Sequence, residues 1–457
     1  MIHLKNILIL VVVLGLFFSQ IPEIKAQEPT TARAAEVLVL NIFAKDFGIA
    51  EPKLLPTSPV YAIKNIWRSI KSSFSFNSVK KAALKLDFTN ERLIEAKVVA
   101  EQFDKPKIVI KTLKKYQKEF FGVSQIIEKI AEKDKDEIKW LVEKIIDHFF
   151  KQQRILDGIE KKLGAEYFEE INKIRQEVRK YFAHLFSKAM TPEEIEDKLP
   201  EVLDRQEGSE FKDFKNIEIL KALKEKFPEE ARHAIRRVQD DAMERLQDKM
   251  MEITKEELEL FGEYVENIGG NEVRHLEIIH DLTQKETTEV IQIEIEKIKQ
   301  KTIEKIDERI KEFKREEQQK EFLQHLEGGE IEDFRIIKEL EDNLSLEAVE
   351  VIMETKDRIL SNLREEFESI YTSEEIEQLE EADDEIRFTQ EPEGAGIEKP
   401  EIELDFSKEQ FSAEEIEQIK QIIQYLPLDI QQLLEGISPS ALPEKIRDLD
   451  IIKIIKE

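Results

Sequence analysis

The chain has 457 residues, of which 40% are apolar and 37% charged, with a formal net charge of -29 and no cysteine. The length admits about two to four domains, and the missing cysteines exclude disulfides, thiolate metal sites and a lipid-modified cysteine anchor. So acidic a chain repels nucleic acid, and a glycine content of 14 in 457, about half the usual ~7%, favours long helices over loop-rich enzyme folds.

Residues 1–26 read as a secretory signal peptide. Lys5 precedes an unbroken apolar run from Ile7 to Phe18, Pro22 breaks the helix, and Ala26 offers a cleavage point. Such a run is too short to span about 30 Å of hydrocarbon. Ile24 departs from the usual small residue at minus three, which leaves an uncleaved anchor as the alternative. No later segment reaches about 18 apolar residues, so no transmembrane helix is expected in the mature chain. Residues 27–52 form a leader segment with a short apolar stretch, Val37 to Phe43.

Residues 53–120 are expected to form a basic helical head. Residues 27–120 together carry 17 Lys/Arg against 10 Asp/Glu, a net +7 on an otherwise acidic chain. The head is expected either to touch anionic wall polymers or headgroups, or to fold back on the acidic body. Pro56 and Pro59 force an extended start, after which Ile63, Ile66, Trp67 and Ile70 recur at helical spacing. A second amphipathic helix follows on Ala82, Leu86, Leu93, Ala96, Val99 and Ala100. Trp67, Phe74, Phe76 and Phe88 are expected to face the core, leaving Lys71, Lys80, Lys81 and Lys85 solvated; a polymer-binding strip is the alternative. The stretch "LPTSPVYAIKNIW…FSFNSVKKAALKLDFTNERLIEAK" resembles a family of exported bacterial and archaeal domains of unknown function. Leu55, Pro56, Ser58, Pro59, Tyr61 and Lys64 match its Leu-Pro-x-Ser-Pro-x-Tyr-x-x-Lys turn, with Thr57 where that family often has Asp. The resemblance covers residues 53 to 105 and implies export and helical structure, with no assigned activity.

Residues 121–386 are expected to form an acidic repeat region of helix–turn–helix units near 208–261, 269–327 and 328–371. Leu223, Leu282 and Leu340 each stand eight residues before Ala231, Val290 and Ala348, at steps of 59 and 58 residues. A weaker copy places Ile159 eight before Tyr167. One such unit cannot bury its apolar stripe alone, so neighbours must stack. Gly208, Gly269, Gly270, Gly328 and Gly329 are expected to close the preceding long helices in the left-handed conformation, Asn271 to cap a helix, and Thr191 and Ser412 to open capping boxes. Residues 387–407 read as an acidic Pro/Gly linker and 408–457 as a small C-terminal helical module. The expected fold is all-α: an extended array of helix–turn–helix units with long amphipathic helices, plus that module.

His275 and His280, five apart, are the sharpest candidates for chemistry. That spacing leaves the rings about 140° apart on a helix, whereas shared metal ligands stand three or four apart. At the aligned positions Lys221 and Lys338 replace His280, and Asp333 replaces His275. A repeated metal site would repeat its ligands, so a structural or surface role is expected. His148 and His184, in aromatic settings, are expected to be buried and hydrogen-bonded. The acidic run from Glu374 to Glu385 lacks the spacing of a calcium loop. No phosphate loop, nucleophile elbow or zinc-protease motif is present in the sequence. We therefore expect no catalytic, cofactor-binding or metal residues. The expected function is that of an exported, non-catalytic scaffold binding a protein or cell-envelope polymer, without nucleic acid, with homo-oligomers allowed. A stress chaperone or ligand sensor is the alternative, and a hydrolase with a site between helices a third.

Overall fold

The computed structural model describes residues 42–370, apart from 76, 134–135, 207–209, 284–287 and 329–330. The signal segment, the linker, the C-terminal module with Ser412, Phe76, Gly208 and Gly329 lie outside the described residues.

Among the described residues the chain is all-α, with fourteen α-helices and no strand. The first six are α1 (Tyr61–Ser73), α2 (Ser78–Gln102), α3 (Pro106–Ala131), α4 (Lys139–Leu163), α5 (Phe168–Ala189) and α6 (Pro192–Arg205). α2 packs on α3 and α4, and α5 packs on both α3 and α4. The expected apolar positions of α2 are all buried, and aromatic rings fill the bundle, with Phe149 stacked on Phe182 at 3.9 Å.

Three helix pairs follow at the predicted repeat positions. They are α7 (Lys212–Lys224) with α8 (Glu229–Glu252), α10 (Glu272–Thr283) with α11 (Glu289–Glu312), and α13 (Ile331–Asn343) with α14 (Leu346–Ile370). Behind the first two pairs lies a short third helix that the eight-residue spacing did not show: α9 (Lys255–Asn267) and α12 (Glu316–Leu323). α9 has its own capping box, in which Thr254 and Glu257 satisfy each other's backbone N–H groups. Leu223, Leu282, Leu340, Ala231 and Ala348 are buried, whereas Val290 is exposed and Ile291 is buried beside it. The weaker upstream copy is a junction of two long helices, α4 and α5, not a short helix and a long one.

One ladder links the units. Lys221 of α7 reaches Glu277 and Asp281 of α10, both at 3.3 Å, and its counterpart His280 stands 3.7 Å from Glu339 of α13. Equivalent positions thus make equivalent contacts to the next unit. The apolar core is continuous from Ala44 to Val238, so the basic segment shares its interior with α4 to α8. α12 also packs on α5, which places the end of the second unit against the first bundle.

Caps behave as the sequence predicts. Thr191 Oγ1 accepts from the Glu194 N–H at 3.3 Å, and the Thr191 N–H donates back to Glu194 at 3.0 Å. Gly269 and Gly270 do not. They follow the short helix α9 and close no long one.

Candidate functional site

The site is built around α7, whose buried apolar residues Phe214, Ile217, Ile219, Leu220 and Leu223 surround the helix on all sides. A helix that is apolar all round is interior, so Lys215 and Glu218, between those residues, are carried inside with it. Both are buried. Lys215 Nζ donates to Glu218 Oε2 at 2.5 Å and to the Gly269 carbonyl at 2.6 Å, and lies 2.6 Å from Asp157 Oδ2. From Asp157 the network continues through Arg175 at 3.0 Å to Glu160 at 2.6 Å and on to Arg309 at 2.5 Å. In the other direction Glu218 Oε2 meets His275 Nε2 at 2.9 Å.

Buried charges are tolerated only where paired and hydrogen-bonded, and here the signs alternate along α11, α4, α5 and α7. Burial opposes ionisation of Glu218, but Lys215 and His275 overcome it and hold its carboxyl well below the usual range. Burial likewise opposes the charge on Arg175, which Glu160 and Asp157 restore and strengthen.

The turn Gly269–Gly270–Asn271 closes over this network. A Cβ on Gly270 would lie 2.4 Å from both Glu218 Oε1 and Lys215 Nζ, and one on Gly269 would lie 2.9 Å from Asp157. Gly270 also has φ of +131°, a conformation open to glycine at little cost. These glycines are there for close approach. Asn271 then does three things: its N–H donates to Glu218 at 3.0 Å, its Oδ1 caps α10 through Val273 and Arg274, and its amide donates to the Phe322 carbonyl at 3.0 Å.

Beside the network lies a cavity of about 330 Å³. One face of α5 (Phe168, Asn172, Arg175, Gln176 and Arg179) forms a wall, opposed by Arg274 of α10 and by Glu321 and His325 near α12. Arg274 is paired with Glu225, which also lies 3.7 Å from Lys226. His325 lies 3.0 Å from Glu277. Arg274, Glu225 and His325 also line a second cavity of about 440 Å³, so they form the partition between the two.

Arg179 differs from its neighbours. It is buried, its Nε donates to Gln153 at 2.9 Å, and it has no acidic partner among the described residues. Burial and the charges of Arg175 and Arg274 push its guanidinium down to about 9. Among the described residues Glu321 accepts only from Asn172, at 2.9 Å, and burial raises its carboxyl.

The two candidate histidines are not brought together: His275 is buried on Glu218, and His280 is half-buried near Glu339 on the next unit. His275 is a member of a charged cluster, and its surroundings come from helices more than fifty residues away in sequence. No group of three potential metal ligands occurs among the described residues. His148 is buried as expected, 2.8 Å from the Asn90 amide, and burial pushes it down to about 3. His184 is corrected: it is exposed on the surface, 3.1 Å from Glu128. α5 turns its apolar residues Phe182, Leu185 and Phe186 inward, and this leaves His184 on the outer face.

In the head, the Leu55–Lys64 turn leads into an anchor. The Ser58 N–H donates to the Leu55 carbonyl at 2.9 Å and the Tyr61 N–H to the Ser58 carbonyl at 3.2 Å. Tyr61 donates to Glu95 of α2, which is also held by Lys64 at 2.6 Å and Arg68 at 2.8 Å. The polar face of α1 thus turns inward, and its apolar face turns out. Trp67 is 64% exposed, Ile66 60% and Phe74 71%, which corrects the expectation that Trp67 and Phe74 face the core. Phe88 is half-buried. Lys53, Lys71 and Lys80 are exposed, and residues 52–86 contain seven Lys/Arg and no Asp/Glu. No described helix is long and apolar enough to cross a membrane.

A comparison with curated proteins finds no match. A solved structure described as "Computational Design of Self-Assembling Cyclic Protein Homooligomers" is similar at 14% identity, covering 63% of this chain and 98% of that one. Its TM-score of 0.27 is too low to bear on fold or assembly. The match to a family model runs from the proline turn to the end of α9 and stops immediately before the Gly269–Gly270 turn: residues 53–268 are similar to a domain of unknown function, DUF5667.

Proposed function

We propose that this is an exported, non-catalytic helical scaffold of the cell envelope that docks its basic head on an anionic lipid surface. The observation that carries the proposal is the inverted α1, whose polar face is tied to Glu91 and Glu95 while Ile63, Ile66, Trp67, Ile70 and Phe74 face outward. An apolar helical ridge with aromatic residues and flanking lysines suits the headgroup–acyl boundary, where apolar burial and attraction to anionic lipid add. The acidic remainder of the chain opposes approach only weakly, because charges more than about 8 Å away are screened at physiological salt. Export rests on the Ile7–Phe18 run, and the Leu55–Lys64 turn is the element that sets α1 in its inverted orientation.

Co-sedimentation of residues 27–457 with vesicles tests this. Binding is expected to phosphatidylglycerol-containing vesicles over pure phosphatidylcholine, falling with added salt and lost in the double variant Trp67→Ser/Phe74→Ser. Equal sedimentation with and without anionic lipid, or an unaffected double variant, refutes lipid docking. Binding instead to unfolding client proteins supports the chaperone alternative.

A further inference from the structure

We infer that the cavity between α5, α7, α10 and α12 binds a small oxyanion, a carboxylate or phosphoryl group, on the guanidinium of Arg179. This goes beyond the docking role and does not depend on it.

The argument is an accounting of charge around the cavity. Asp157 is engaged by Arg175 and Lys215, Glu218 by Lys215 and His275, and Glu225 by Arg274. Glu321 has only the Asn172 amide among the described residues. Of the cations, Arg175 and Arg274 are paired and Lys226 is near Glu225. Arg179 remains. It is 6% exposed, its Nε is bound to Gln153, and its two terminal nitrogens have no protein partner among the described residues. An uncompensated buried charge is costly, and Arg179 retains its own beside two further arginines. A guanidinium fork offers paired donors to a carboxylate or phosphate, and this one lines an open space of about 330 Å³, sufficient for a small organic acid or phosphate ester. The cavity also straddles the end of the matched domain: Arg179 lies within residues 53–268, while Gly270, Arg274 and His325 lie beyond them. An occupant would therefore bridge the domain and the repeat units that follow.

Isothermal titration of the full chain with inorganic phosphate and, separately, succinate tests the inference at constant ionic strength with chloride as the reference. Saturable binding of one stoichiometric equivalent is expected for at least one of them, and which one binds identifies the chemical source. Arg179→Met is expected to weaken it about tenfold or more, the loss of charge-assisted hydrogen bonds, while Arg237→Met at the surface leaves it unchanged. Ligand-free Arg179→Met is expected to unfold at the same or a higher temperature than the parent, because a repelled charge has been removed. In the unmodified protein, phenylglyoxal labelling of Arg179 read by mass spectrometry is expected to slow several-fold with the bound oxyanion, and labelling of Arg237 to stay constant. This arm holds even if the variant fails to fold. No binding of either anion, or labelling of Arg179 that neither anion slows, overturns the inference.

Discussion

Replacing Gly270 by alanine isolates the energetic role of the buried ion network. The new Cβ would lie 2.4 Å from Glu218 Oε1 and Lys215 Nζ, in a backbone conformation with φ of +131°. Gly164 is the natural control, because its φ is +77° and nothing lies within 4 Å of its Cβ position. Both substitutions carry a backbone cost of about 1–3 kcal/mol. Only Gly270→Ala must also displace one member of a buried pair, which costs about 3–5 kcal/mol when the partner charge is left behind. The expected losses are therefore ~1–3 kcal/mol for Gly164→Ala and ~4–8 kcal/mol for Gly270→Ala, against a usual total of about 5–15 kcal/mol. Urea titration followed by circular dichroism measures both. Equal losses would show that the network yields at little cost, and the reasoning that ties the Gly–Gly turn to the buried charges would fail.

Glu95→Gln should cost about 3–5 kcal/mol, since it leaves Lys64, Arg68 and Arg92 around a neutral group. Tyr61→Phe, which removes one hydrogen-bonding hydroxyl, should cost about 1–3 kcal/mol; thermal unfolding of the two variants checks the order. His148 sets a pH dependence. Its folded value of about 3 lies below the free value of 6.5, so the unfolded chain binds the proton first, and stability falls as pH drops from 6.5 towards 3. The full effect is at most about 5 kcal/mol. Urea midpoints at a series of pH values should show this slope flattened in His148→Phe, and a parallel slope would remove His148 as its source. Thr191→Ala should lose about 1 kcal/mol by removing the α6 cap, measured as a shift in the urea midpoint.

Much of the fold was legible from sequence. Apolar residues recurring at helical spacing and the caps at Thr191 and Asn271 rest on interactions within a few residues of one another, and the steps between Leu223, Leu282 and Leu340 repeat one such local pattern three times. Local physics settles such features before any packing occurs. What the chain order could not show was which partner each face would meet. The stripe of α1 reads as a core face, because an apolar stripe is normally buried. It faces outward because Glu91 and Glu95, some thirty residues later, draw the polar face in.

The same holds for the stretch around His275. Its spacing from His280 correctly argued against a shared ligand set on one helix, but its role depends on Glu218, 57 residues earlier, which in turn depends on Lys215 and Asp157. One local signal did point to this cluster: α7 is apolar all round, so the charges between those apolar residues had to be buried and paired. The sequence by itself determined an all-α chain, its helix pairs and several of its caps, because hydrogen bonding and side-chain periodicity act at short range. Only the tertiary structure decided which charges were buried together, which apolar face stayed outside, and that Arg179 has no acidic partner among the described residues. Those outcomes depend on groups brought together from distant helices, and no short stretch of sequence encodes them.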